Sequence, residues 1–148
     1  MSIPEGQDGV THINIYSQGE TELGRRMSNW AACRIDLPED GYFDSIEGYW
    51  YWLGNREVKM RGLVGYQAKK IGRELPRVYT MDEELFKIKI KIAMRVKVNS
   101  WPSFKKMLKE STLPFSHYYS YGGKKIDAGY QWIIEEWNNI RNELKEGE

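Results

Sequence analysis

The chain has 148 residues, a formal net charge of +1, one cysteine and two histidines. A length like this buries roughly 68–70% of the unfolded surface, so a core can form without staples, and a lone Cys33 excludes an internal disulfide and every multi-cysteine zinc site. Near-neutral charge argues against a protein-wide field for polyanions, and no window nears the ~20 apolar residues of a membrane span.

The opening stretch MSIPEGQDGVTHI lacks the basic-then-apolar pattern of a secretory signal. A cytoplasmic protein is expected, with a flexible segment over residues 1–10 and one domain over 11–148. Thr11 to Ser17 alternates Ile13 and Ile15 with polar residues and predicts a strand. Gly19 to Arg26 reads as a loop, and Met27 to Asp36 as a short strand or turn. Pro38-Glu39-Asp40-Gly41 is a turn, because proline presets one dihedral and glycine accepts the left-handed one.

Asp44-Ser45-Ile46-Glu47 fits a capping box, with Asp44 as cap and Glu47 at the third helical position. That helix should end near Gly54-Asn55. A second helical stretch runs from about Arg56 to Gly72, broken around Gly62 and Gly65 and closed by Pro76. Thr80-Met81-Asp82-Glu83 is another capping box. After it, KIKIKIAMRVKV alternates as a strand would, yet Leu85, Ile88, Ile92 and Val96 share one helical stripe, and a helix is preferred. Ser100 to Glu110 is a shorter helix with Pro102 in its first turn, and Ser111 to Ala128 is loop-like. Tyr130, Ile133, Ile134, Trp137, Ile140 and Leu144 mark the last helix. These elements make a predominantly helical α+β domain with a few short strands. No Walker loop and no GxGxxG is present.

Two local biases stand out. From Leu85 to Lys109 there are eight basic residues and no acidic one: Lys87, Lys89, Lys91, Arg95, Lys97, Lys105, Lys106 and Lys109. The strip is either a solvated lysine face or a surface for phosphates. Six Trp, ten Tyr and four Phe cluster at Tyr49 to Trp52 and at Phe115 to Tyr121, where they can fill core or stack on bases and sugars.

Glu47 fits two roles. It can complete the helix cap. Alternatively, with Trp50 and Tyr51 three and four residues on, it can be a partly desolvated carboxylate suited to acid–base work. Asn29, beside Ser28 and after Arg25 and Arg26, is a turn residue or a bidentate amide for a ribose or base. Lys69, Lys70 and Arg73 complement a helix C-terminus, or Arg73 forks a phosphate. His117 sits in the aromatic, glycine-ended loop FSHYYSYGG, where it is structural or a proton donor to a leaving base. Cys33 reads as packing, and Glu135-Glu136 as a solvated pair.

The order INIYS, GRRMSNWA, DGYFDSIEGYWYWLG, QAKKIGR, a long basic helix, LKESTLPF, HYYSYGG and WNNIR resembles the NADAR family, also called YbiA-like. The resemblance runs from about Ile13 to Arg141. It implies an N-glycosidase without a cofactor. Members cut the base–ribose bond of an early riboflavin intermediate, or remove ADP-ribose from guanine in nucleic acid and so counter DarT-like toxins, as small stand-alone phage members do. The family's glutamate falls on Glu47, its Ser-Asn pair on Ser28 and Asn29, and its Gly-Arg on Gly72 and Arg73. Two departures are visible. The histidine and lysine of E-H-Y-F-Q-A-x-K are Gly48 and Gly54 here, so a covalent lysine would have to be another, such as Lys69. His117 also stands where an aspartate is usual.

The implied mechanism is hydrolysis through an oxocarbenium-like state. Glu47 stabilises the sugar cation or orients water, and His117 protonates the base or orients the ribose. Trp50 and Tyr119 stack, with Tyr118 beside them, and Arg73 with Arg25 or Lys69 holds a diphosphate. The expected substrate is ADP-ribosylated DNA or RNA. The alternatives are a small riboflavin-pathway nucleotide and a non-catalytic ADP-ribose binder.

Overall fold

A computed structural model of the chain describes residues 3–147. Met1 and Ser2 of the expected flexible terminus, and Glu148 of the acidic tail, lie outside them. The fold is α+β and mainly helical. In chain order the elements are β1 (Ile13–Asn14), α1 (Glu22–Met27), β2 (Ile35–Leu37), β3 (Gly41–Phe43), α2 (Ile46–Asn55), a 3-10 turn (Val58–Gly62), α3 (Gly65–Glu74), α4 (Glu83–Ser100), α5 (Pro102–Glu110), β4 (Phe115–Ser116), β5 (Tyr118–Tyr121), β6 (Lys124–Asp127) and α6 (Gln131–Glu146). They form two compact units. One holds the chain up to Ser28 and from Ser103 on; the other is Asn29 to Pro102.

In the first unit β1 and β4 pair in parallel, Ile13 opposite Phe115. A two-residue ladder is too short to stand alone. Buried Asn14 extends it with side-chain bonds. Its amide donates to the Tyr118 carbonyl, and its oxygen accepts from the Tyr118 N–H and the Ser116 hydroxyl. His12 joins them, with Nε2 2.7 Å from the Tyr118 hydroxyl. From α6, Ile133, Ile134, Trp137 and Ile140 turn inward as their spacing predicts. Tyr130 instead precedes the helix in a left-handed conformation. Glu136, expected in solvent, is buried and takes a hydrogen bond from Asn139.

Two segments expected as loop in this unit are regular. Gly19 to Arg26 contains all of α1 but its last residue, Met27, and the cap Thr21 accepts from the Gly24 N–H at 2.9 Å. At six residues it is too short to show a periodicity. Ser111 to Ala128 contains β4 and the β5–β6 hairpin. Gly122 and Gly123 both have positive φ, 52° and 81°, as a two-residue hairpin turn requires. The N-terminal stretch is also tied down, since the Asp8 carboxylate accepts from the N–H groups of Asn14 and Glu20.

In the second unit β2 and β3 form an antiparallel hairpin around the Pro38 to Gly41 turn, with Gly41 at φ 87°. The cap of α2 is Ser45, not Asp44. The Ser45 hydroxyl accepts from the Gly48 N–H and donates to the Leu63 carbonyl at 2.8 Å. A hydroxyl can do both tasks, whereas a carboxylate only accepts. The cap of α4 is likewise Asp82 rather than Thr80.

α4 is a helix, but its buried face is not the expected stripe. Ile90, Ala93, Met94, Lys97 and Val98 point inward, and α4 packs on β2 and α2. Leu85, Ile88 and Ile92 are 41%, 51% and 45% exposed. Alternation of Lys and Ile gives this helix two apolar stripes, and packing against β2 and α2 selects the one from Ile90 to Val98. The basic strip is therefore not one surface. Lys97 is fully buried, Lys89 pairs with Glu39 and Asp40, and Lys87 pairs with Glu83 and Glu84.

Candidate active site

With Ser45 as cap, Glu47 is the second residue of α2 rather than the third, and the capping-box role does not apply to it. Its backbone N–H donates to the Asn29 carbonyl at 3.0 Å. Its carboxyl accepts the indole N–H of Trp30, and Lys69 of α3 stands near enough to act on it as a positive charge. The Lys69 ammonium lies 5.9 Å from the centre of the Trp30 ring. Burial pushes the Glu47 carboxyl up, and the Trp30 bond and Lys69 pull it down. Burial dominates and the result is about 7. A carboxyl poised there can accept or release a proton at neutral pH.

Close packing of α2 on α3 and on the 3-10 turn holds this arrangement. A Cβ at Gly72 would run into the Tyr51 ring, and one at Gly48 would press on the carbonyls of Met60 and Leu63. Glycine at these two positions is a condition for the close approach. It also explains why Gly48 stands where the resembled family has histidine, since no larger residue fits.

Of the expected residues, the structure brings Glu47, Asn29 and Lys69 together. Trp30 belongs with them and was missed as an individual residue. Its signal was its place directly after Ser28-Asn29 in GRRMSNWA. Trp50, expected beside the carboxylate, packs edge-on against Phe86 with ring centres 4.8 Å apart; the indole on the carboxyl is that of Trp30. Arg73 is exposed in the last turn of α3.

The remaining candidates lie in the first unit. Ser28 is buried and closes α1. Arg25 does not stand ready as a diphosphate fork, because its guanidinium donates to the Gly19 carbonyl at 2.8 Å and braces its own loop. Tyr118 is buried with its hydroxyl held by His12, so it is a framework residue rather than a stacking one. Tyr119 is half-buried between Tyr16 and Tyr121. His117 Nδ1 lies 3.1 Å from the Gly129 carbonyl, which makes it the donor there. Burial holds His117 below the usual histidine range despite Gly129 and Asp127. Of the two roles expected for His117, this direction favours the ribose-orienting one over proton donation to the base.

Among the described residues, no group of three or more His, Cys, Asp or Glu could hold a metal ion, and no helix is long and apolar enough to cross a membrane. No family model matches the chain, and no curated protein matches it. Among solved structures, the NMR structure of the E. coli protein YbiA is similar, with a TM-score of 0.66 and 18% identity over 97% of this chain and 89% of that one. Identity that low carries the fold alone, and the fold of this chain is YbiA-like.

Proposed function

We propose that the protein hydrolyses N-glycosidic bonds and removes ADP-ribose from a modified nucleic-acid base, guanine before thymine. This activity would reverse the modification made by a DarT-like toxin. The YbiA-like fold and the resemblance of its motifs to the NADAR family support it. The observation that carries it is the Glu47 carboxyl, held by Trp30 beside Lys69 and balanced near neutrality.

In this mechanism the ionised Glu47 faces the positive charge that grows on the ribose as the base departs, and then takes a proton from the attacking water. The water oxygen bonds to the anomeric carbon, the carbon–nitrogen bond breaks, and the proton passes on to the base nitrogen. Such a carboxylate works best where water is scarce and its own orientation is fixed beforehand. Trp30 supplies that orientation. In this reading Lys69 and, one helical turn on, Arg73 take phosphate charge, and the Asn29 amide takes a ribose hydroxyl.

The test is incubation with oligonucleotides ADP-ribosylated at guanine or at thymine, read by mass spectrometry. Free ADP-ribose from the guanine oligonucleotide is the expected result. Intact oligonucleotides after prolonged incubation with folded protein would overturn the assignment. One observation favours a second substrate, a small free nucleotide: burial of Lys97 and pairing of Lys89 remove two members of the basic strip that pointed to a polyanion. The two separate by salt. Turnover of a nucleic-acid-linked substrate falls steeply as salt rises, and turnover of a free nucleotide does not.

A further inference from the structure

Leu85, Ile88 and Ile92 stand out from α4 at 41%, 51% and 45% exposure. Their spacing of three and four residues puts them on one stripe of the helix. The opposite stripe, from Ile90 to Val98, is already packed against β2 and α2. α4 thus has a second apolar face with no use inside the unit.

The charges beside this stripe are ordered along it. At 100° per residue, Glu84, Lys91 and Arg95 lie within about 60° of Ile88, on the side away from Leu85 and Ile92. Glu84 is exposed, and Lys91 and Arg95 are partly exposed. The acid sits at the start of the flank and the bases at its end.

We propose that this face pairs with the same face of a second copy of the chain, the two α4 helices running antiparallel about a two-fold axis near Ile88. In that arrangement Leu85 of each copy meets Ile92 of the other. In antiparallel pairs each flank meets itself, so Glu84 of one copy faces Lys91 and Arg95 of the other, twice over. A parallel pair would set this charged flank against the Leu85 and Ile92 side of the partner, where no acid meets a base. The charge order therefore selects the isologous antiparallel pair. Three half-exposed aliphatic side chains per copy make a patch at the small end of protein interfaces, so the dimer forms at roughly tens to hundreds of micromolar rather than nanomolar.

Analytical ultracentrifugation of the full chain from about 10 µM to about 1 mM tests it. The expected result is a mass that rises from monomer toward dimer. Ile88→Glu and, independently, Ile92→Glu keep the wild-type circular dichroism spectrum, because both side chains face solvent in the monomer, and both hold the protein monomeric throughout. Glu84→Lys weakens the dimer at least several-fold, and Glu84→Lys combined with Lys91→Glu restores it. A wild-type protein that is monomeric at the highest concentration overturns the proposal. So does a dimer untouched by Ile88→Glu and Ile92→Glu. Failure of the charge swap to restore association overturns the antiparallel arrangement.

Discussion

The surroundings of Asn14 in the first unit and of Glu47 and Lys97 in the second bury polar groups in opposite ways. Around Asn14, the first unit pairs neutral groups with neutral groups: an amide with a carbonyl, an N–H and a hydroxyl, and an imidazole with a phenol. The second unit buries ionisable groups and leaves them strained in charge. Glu47 is pushed up to about 7 and Lys97 down to about 7, both chiefly by burial. Satisfied neutral networks fix a structure, whereas carboxyls and amines moved to neutrality are costly and belong where protons change hands. The contrast teaches that Asn14, His12 and Tyr118 are framework, and that chemistry is to be sought around Glu47.

The largest expected effect is on turnover. Glu47→Gln keeps the circular dichroism spectrum and loses about a hundred- to thousandfold in kcat. Its stability moves the other way. Between pH 4.5 and about 7 the folded Glu47 keeps a proton that the unfolded chain has released, so the wild type loses stability as pH rises through that window. Urea denaturation should show that loss absent in Glu47→Gln. Full activity in this variant would erase the contrast between the units.

Asn14→Ala comes next, at about 3 kcal/mol of destabilisation by urea denaturation, because it strands two backbone groups and a hydroxyl in the core. Lys97→Met should gain stability relative to the wild type as pH falls from 10.5 toward 7, since it removes a charge that burial disfavours. The unfolded chain keeps the Lys97 proton up to pH 10.5, while the folded one gives it up near 7. Wild-type stability therefore climbs over that range, and thermal melts of the two proteins should converge as pH approaches 10.5. The smallest effect is Trp30→Phe. Without the indole donor the Glu47 carboxyl rises further, and the pH–rate profile bends at a pH higher by about one unit or less.

Much of this was legible in the residues, for identifiable reasons. The hairpin turn at Gly41, α6 and the helical character of α4 follow from turn chemistry and periodicity. The inward face of α4 did not, because two stripes of similar hydropathy compete and only tertiary packing chooses between them. That choice also decided the fate of Lys97, which a charge-run argument puts in solvent. Asp44 and Ser45 are both good caps, and local sequence cannot rank them when the Leu63 carbonyl 18 positions away is what favours the hydroxyl. Glu47, Asn29 and Lys69 were found as candidates. Trp30 was not, since its partnership with Glu47 crosses a hairpin.

The parallel pairing of β1 with β4 joins Asn14 to Ser116, 102 positions further along, while Asn29 to Pro102 is a continuous stretch. On the ribosome the nascent chain exposes β1 first and must leave it without a partner until translation has passed the whole intervening unit. Glu47, Trp30 and Lys69 can therefore be assembled during synthesis, before the sheet that ties the two ends of the chain together exists.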